Sequence, residues 1–163
     1  MNLTNSKTSS LVIRRWDRNR LDRTFKGAIL HANINAAIFY HDHVDMHHIL
    51  LALVDQTGSA AWEIMQACGV EYKDFYSKLA ILDPMRPPRK INKKLPLTPD
   101  ATKAIYLAIE EAQSFRRKII DSNHLFLGIL RVNSGITRRI LESLGMDCLA
   151  TYRSIRAKGT KKV

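Results

Sequence analysis

One short pattern occurs twice in this chain at a fixed offset, and that register limits the fold more than any other feature. Val44-Asp45-Met46-His47-His48-Ile49-Leu50-Leu51 is matched 76 residues later by Ile120-Asp121-Ser122-Asn123-His124-Leu125-Phe126-Leu127. Each copy has a β-branched residue, an aspartate, a histidine three residues further on and then an apolar run. At the same offset Ala28 meets Ala104, Ala32 meets Ala108, Ala36 meets Ala112, Ile64 meets Ile140 and Gly69 meets Gly145, without a gap. A register kept over this length is a tandem repeat, whose units share a core that neither buries alone.

The local signals inside each copy are helical. From Leu21 the residues Phe25, Ala28, Ile29, Ala32 and Ala36 fall on one helix face, and the small side chains there predict close approach of a neighbouring helix. Asp45 precedes an apolar run and suits the N-cap position, where a carboxylate accepts from an orphan N–H, and Asp121 or Ser122 starts the equivalent helix of the second copy. Ser59 is placed as a cap, and Gly69 and Gly145 as left-handed helix ends. Thr98-Pro99-Asp100 is a strong start signal, with Pro99 at the first helical position. Pro84, Pro87 and Pro88 stop the fourth helix. No stretch alternates with period two. The expectation is therefore all-α, with two units of four helices each in a pseudo-twofold arrangement, about eight helices and no sheet. Residues 1–20 form a basic arm, 21–82 the first repeat, 83–97 a linker, 98–157 the second repeat and 158–163 a basic tail.

The net charge is +11, but its placement matters more than its size. Residues 1–26 sum to +5, 82–97 to +4 and 153–163 to +5, whereas 27–81 sum to −4 and 98–152 to +1. The excess lies in the arm, linker and tail, which argues against a dedicated nucleic-acid binder with a basic stripe on its folded face. Binding of nucleic acid or an anionic surface through the basic arms is the alternative function. Cys68 and Cys148 sit in apolar surroundings without a CxxC partner, which points to a reducing compartment. No apolar run approaches the ~20 residues of a membrane span. A cytoplasmic location is expected, with the Ser/Thr-rich start leaving an organellar one open.

Chemistry is scarce. His43 and His47 are spaced i, i+4, as zinc ligands on one helix can be. Asp45 starts a helix between them, however, and H-E-x-x-H is absent, so no metal and no cofactor is expected. No G-x-x-x-x-G-K-[ST] loop is present, and no serine or cysteine sits in a nucleophile's context. The chain is read as no enzyme.

Leu97-Thr98-Pro99-Asp100-Ala101, Ala108-Ile109-Glu110-Glu111-Ala112, Ile120-x-Ser122-Asn123-His124-Leu125-Phe126-Leu127-Gly128-Ile129-Leu130 and Leu144-Gly145-Met146-Asp147 together resemble the Clp repeat. This is the double-repeat N-terminal domain of Clp-type AAA+ unfoldases. The resemblance covers residues 21–157. It implies a protein- or peptide-binding module of the Clp chaperone–protease system. Without a phosphate loop the chain is read as lacking the ATPase modules, either a stand-alone Clp-repeat protein, which the divergent arm and short basic end favour, or an excised fragment. The implied partners are a Clp-type unfoldase, its protease partner, an adaptor or substrate peptides. The resemblance also implies that His48 and His124 are structural helix-start residues. In some family members a glutamate precedes that histidine and binds arginine-type groups, phosphoarginine included. Here His47 and Asn123 stand at that position, and neither offers a carboxylate to a guanidinium. The expected partner site is a groove lined by His47 and Asn123, with Asp45 and Asp121 nearby and Trp16 as a further contact. It should be indifferent to phosphoarginine.

Overall fold

The computed structural model describes residues 18–91 and 94–160. Trp16, most of the arm and residues 161–163 lie outside the described residues. Eight α-helices are present among them: α1 Arg23–Ile38, α2 Met46–Asp55, α3 Ala60–Ala67, α4 Tyr72–Leu82, α5 Pro99–Ser114, α6 Ser122–Val132, α7 Gly135–Ser143 and α8 Cys148–Thr160. Shifting α1 by 76 residues reproduces the bounds of α5, and α2, α3 and α4 map onto α6, α7 and α8 within two residues at each end.

Local chemistry sets these bounds. Asp22 Oδ1 accepts from Phe25 N at 2.8 Å, and at the equivalent place Thr98 Oγ1 accepts from Ala101 N at 3.2 Å. Helix α1 therefore starts at Arg23 rather than at Leu21, whose apolar side chain had suggested a first helical residue. Leu21 instead carries extended backbone that pairs with the other repeat. Both long helices end alike. Tyr40 and Arg116 take φ of 56° and 54°, and the N–H groups of His41 and Arg117 bond back to the Ala36 and Ala112 carbonyls. This is the left-handed helix ending that releases the chain sharply. At the far end of the second repeat α8 runs to Thr160, so Lys158 is helical rather than part of a tail.

The two repeats are laced together by backbone. Asp22 N donates to Ile120 O at 3.0 Å and Ile120 N to Arg20 O at 2.8 Å. The symmetry-related pair is Thr98 N to Val44 O at 2.9 Å and Val44 N to Pro96 O at 2.8 Å. Each is one isolated parallel bridge, Leu21 with Ile120 and Leu97 with Val44, and no sheet extends from either among the described residues. These bridges place the starts of α2 and α6 at the seam.

Helices α2 and α6 form the centre. Every residue from Met46 to Val54 is buried, as are His124 to Leu130. Helix α2 packs on α1, α3 and α4 of its own repeat and on α5, α6 and α7 of the other. The closest approach is between α5 and α6, where a Cβ on Gly128 would stand 2.1 Å from Ala104 O.

Candidate functional site

The site is built on the two helix starts. Asp45 Oδ1 accepts from Met46 N at 2.7 Å and from Thr98 Oγ1 at 3.0 Å, while His48 Nδ1 accepts from Asp45 N at 2.9 Å. A histidine thus occupies the place of the glutamate in a capping box. In the second repeat Asp121 Oδ1 accepts from Asn123 N at 3.0 Å and His124 N at 3.2 Å. His124 Nδ1 lies 3.2 Å from Asp121 N and 2.8 Å from Asp121 Oδ1. Burial pushes the Asp121 carboxyl up, but the His124 ring and these backbone N–H groups outweigh it and hold it below the usual carboxylate range. Asp45 and Asp121 are therefore spent on helix capping.

The positions flanking His48 and His124 differ between repeats, and the offset pairs them one by one. Around His48 stand Phe39, His41, His47 and Asp83; around His124 stand Phe115, Arg117, Asn123 and Gly159. The first set is closed. His41 Nδ1 lies 2.9 Å from His48 Nε2, and His41 Nε2 lies 3.2 Å from Pro84 O. Because His48 Nδ1 accepts from a backbone N–H, its proton sits on Nε2 and is donated to His41 Nδ1, whose own proton then faces Pro84. Burial, with the neighbouring His47 and His41 rings, holds His48 down to about 2, so it is neutral. Burial likewise lowers His41. His47 is 2% exposed; its Nε2 lies 3.1 Å from Asp83 Oδ2 without a well-aligned hydrogen bond. The His47 ring keeps the Asp83 carboxyl below its ordinary value.

The second set is open. Gly159 supplies no side chain where Asp83 stands in the first repeat, and a Cβ there would strike the Phe115 ring at 2.8 Å. What remains is a depression of about 490 Å³ lined by Phe115, Arg117, Asn123, His124 and Gly159 among others. The Asn123 Oδ1 atom is buried and unpartnered. The depression continues into a trough of about 570 Å³ between α3 and α8, with Ile64, Cys68 and Ile155 on its apolar side. Arg117, Asn123, Ile155 and Gly159 line both. The trough exists because the pseudo-symmetry breaks here: α4 packs on α7, whereas α8 makes no comparable packing on α3.

His47 and Asn123 therefore do not share a groove. His47 is sealed under Asp83 and lines neither depression, while Asn123 sits at the junction of both. Arg117 and Gly159 escaped the sequence reading, although carrying the 76-residue offset from His41 and Asp83 points to them. Cys148 is buried with its thiol pushed up to about 11 by that burial, which suits an inert side chain.

The described residues form an all-helical double repeat, laced by two backbone bridges and open at one of two equivalent sites. Residues 20–144 and 96–161 match the Clp repeat (R) N-terminal domain, and the chain belongs to that family. Chaperone protein ClpC1, chloroplastic, of Arabidopsis thaliana is 29% identical over 147 residues, covering 90% of this chain but 16% of its own length. The chain thus spans about a sixth of that relative. Among solved structures, the N-terminal domain of the chaperone ClpD from Arabidopsis thaliana matches with TM-score 0.71 at 18% identity, covering 89% of this chain and 96% of that one. A complex of the ClpV N-domain with VipB peptide matches with TM-score 0.61 at 17% identity, covering 86% and 89%. At these identities the structures speak for the fold. No helix among the described residues is long and apolar enough to cross a membrane.

Proposed function

We propose that the chain is a non-enzymatic docking module that binds peptide segments of a Clp-system partner, whether unfoldase, protease, adaptor or substrate, in the trough between α3 and α8. The observation that carries this reading is the broken symmetry: one of two equivalent sites is left open, and the open one joins an apolar trough. A ClpV N-domain, of the same fold, has been solved with a peptide. Arg117 and Lys158 line the trough, and no carboxylate is among its described lining residues. The favoured ligand is an extended or helical segment that combines apolar side chains with acidic ones, its amide groups meeting Asn123. The trough itself holds no carboxylate for a guanidinium group, and Asp121 of the adjoining depression is engaged in capping α6, so phosphoarginine gains nothing over an ordinary acidic side chain.

Fluorescence-polarisation titration with acidic amphipathic, basic amphipathic and phosphoarginine-bearing peptides tests this. The acidic peptides bind, and Asn123→Ala or Ser154→Trp weakens them at least tenfold, about 1.4 kcal/mol. Affinity untouched by both substitutions but lost on deleting residues 1–17, which spares the Arg20–Ile120 backbone bond, would move binding to the arm. Tight phosphoarginine binding would overturn the specificity.

A further inference from the structure

The closed site has the donors and spacing of a metal centre. Among the described residues, ring nitrogens of His41, His47 and His48 lie within 4.8 Å of one another, and all three residues are buried. Asp83 Oδ2 joins them from the end of α4, 3.1 Å from His47 Nε2 and 3.5 Å from His41 Nδ1. A tetrahedral ion with bonds of about 2.0–2.2 Å spaces its ligand atoms about 3.3–3.6 Å apart. The separations of 2.9 Å between His41 Nδ1 and His48 Nε2, 3.1 Å and 3.5 Å fall in or slightly below that range, and the side chain of Asp83, 19% exposed, leaves a route in. His47 Nε2 is a buried atom without an aligned partner, and such an atom asks for an explanation.

We propose that His41 Nδ1, His47 Nε2, His48 Nε2 and Asp83 Oδ2 form a closed tetrahedral site for a borderline divalent transition ion of the Zn²⁺ class. Three imidazoles and one carboxylate suit such an ion better than Ca²⁺ or Mg²⁺, which prefer all-oxygen sets. His41 already holds the binding tautomer, its Nε2–H facing the Pro84 carbonyl at 3.2 Å, a common outer-shell arrangement for a ligating histidine. His48 must move its proton from Nε2 to Nδ1 and give up the Asp45 N–H for the Asp45 carboxylate. That alternative is available to this fold, because the equivalent His124 Nδ1 lies 2.8 Å from Asp121 Oδ1. No proton is lost in the exchange. The ion joins the loop before α2, the start of α2 and the end of α4, and so clamps the chain where the first repeat leads into the linker. His43 is excluded: its Nδ1 is 2.6 Å from Asp42 Oδ1 at the surface. This site stands apart from the trough and does not depend on peptide binding.

The test uses the full chain stripped with a chelator and titrated with Co²⁺, then Zn²⁺. One Co²⁺ per chain should give the intense visible bands of a tetrahedral ion, Zn²⁺ should displace it, and the thermal midpoint should rise. Histidine ¹⁵N spectra of the wild type should show the His48 proton moving to Nδ1 on Zn²⁺ addition. Asp83→Asn and His47→Gln should each weaken binding at least tenfold while keeping the helical circular dichroism, and His43→Ala should leave it unchanged. A weak octahedral Co²⁺ spectrum, a His48 tautomer indifferent to Zn²⁺, or binding that survives in both variants overturns the proposal, and the first two decide it on the wild type alone.

Discussion

Glu111 shows how much one side chain can organise. It is fully buried on α5, yet every neighbour it needs comes from elsewhere: Arg131 Nη1 at 3.1 Å, Tyr152 Oη at 2.8 Å, and Arg156 Nη1 at 3.0 Å from one carboxylate oxygen and 3.2 Å from the other. A buried carboxylate is tolerated only when its lone pairs are met this fully. The arginines come from α6 and α8, so one residue ties three helices of the second repeat. Glu111→Ala should cost about 2 kcal/mol, near the lower end for a charged buried network, because Arg131 and Arg156 are 32% and 36% exposed and regain water. Thermal unfolding should show a midpoint lower by about 4–8 °C for a chain of this size. Removing the exposed Arg138–Glu142 pair should leave it unchanged, since surface pairs contribute little. A fall no larger than that of the surface pair would show that the network is ornamental.

Among the elements, the α5–α6 contact is the tightest, and glycine permits it. A methyl group on Gly128 would meet Ala104 O at 2.1 Å and Ala108 N at 2.8 Å, both backbone atoms that cannot swing aside. The equivalent residue on α2 is Ala52, which is buried and carries the methyl group that Gly128 lacks. Gly128→Ala should destabilise the fold by about 3 kcal/mol through overpacking. Ala52→Gly should cost about 1 kcal/mol, the helix propensity difference alone. Urea unfolding of both variants checks this, and a neutral Gly128→Ala would contradict the packing. Much of this level was legible in the sequence. Asp45, Thr98-Pro99, Asp121, Gly69 and Gly145 act on the backbone within a few residues of themselves, so their meaning survives without tertiary structure. Leu21 was misplaced because its apolar side chain fits a helix face, while its extended backbone is bridged to Ile120, 99 residues away, through the flanking Arg20 carbonyl and Asp22 N–H. Asp83 was assigned to a linker for the same kind of reason: its role comes from His41 and His47, which no local pattern joins to it. Asn123 stands out in the sequence, but the depression beside it depends on α8 standing off from α3, which no local pattern shows.

Taken as a whole, the molecule is less two domains than one domain made twice and interleaved. Helix α2 is covered on one side by α1, α3 and α4 and on the other by α5, α6 and α7, and α6 packs on α5 and α8 of its own repeat and on α1, α2 and α3 of the other. The backbone bridges cross as well, each joining the entry of one repeat to the central helix of the other. A half-chain would expose the opposing face of a central helix buried from Met46 to Val54 and lose both bridges. A unit of that length is also near the lower limit at which burial offsets chain entropy. Residues 1–91 alone should therefore show reduced helicity, poor NMR dispersion and no sigmoidal unfolding, as should residues 94–163. Mixed in equal amounts, the two halves should recover helical signal and a cooperative transition, because their complementary faces and bridge partners are reunited. An isolated half that unfolds cooperatively near the midpoint of the intact chain would mean that each repeat carries its own core, and that the seam is an interface between finished domains.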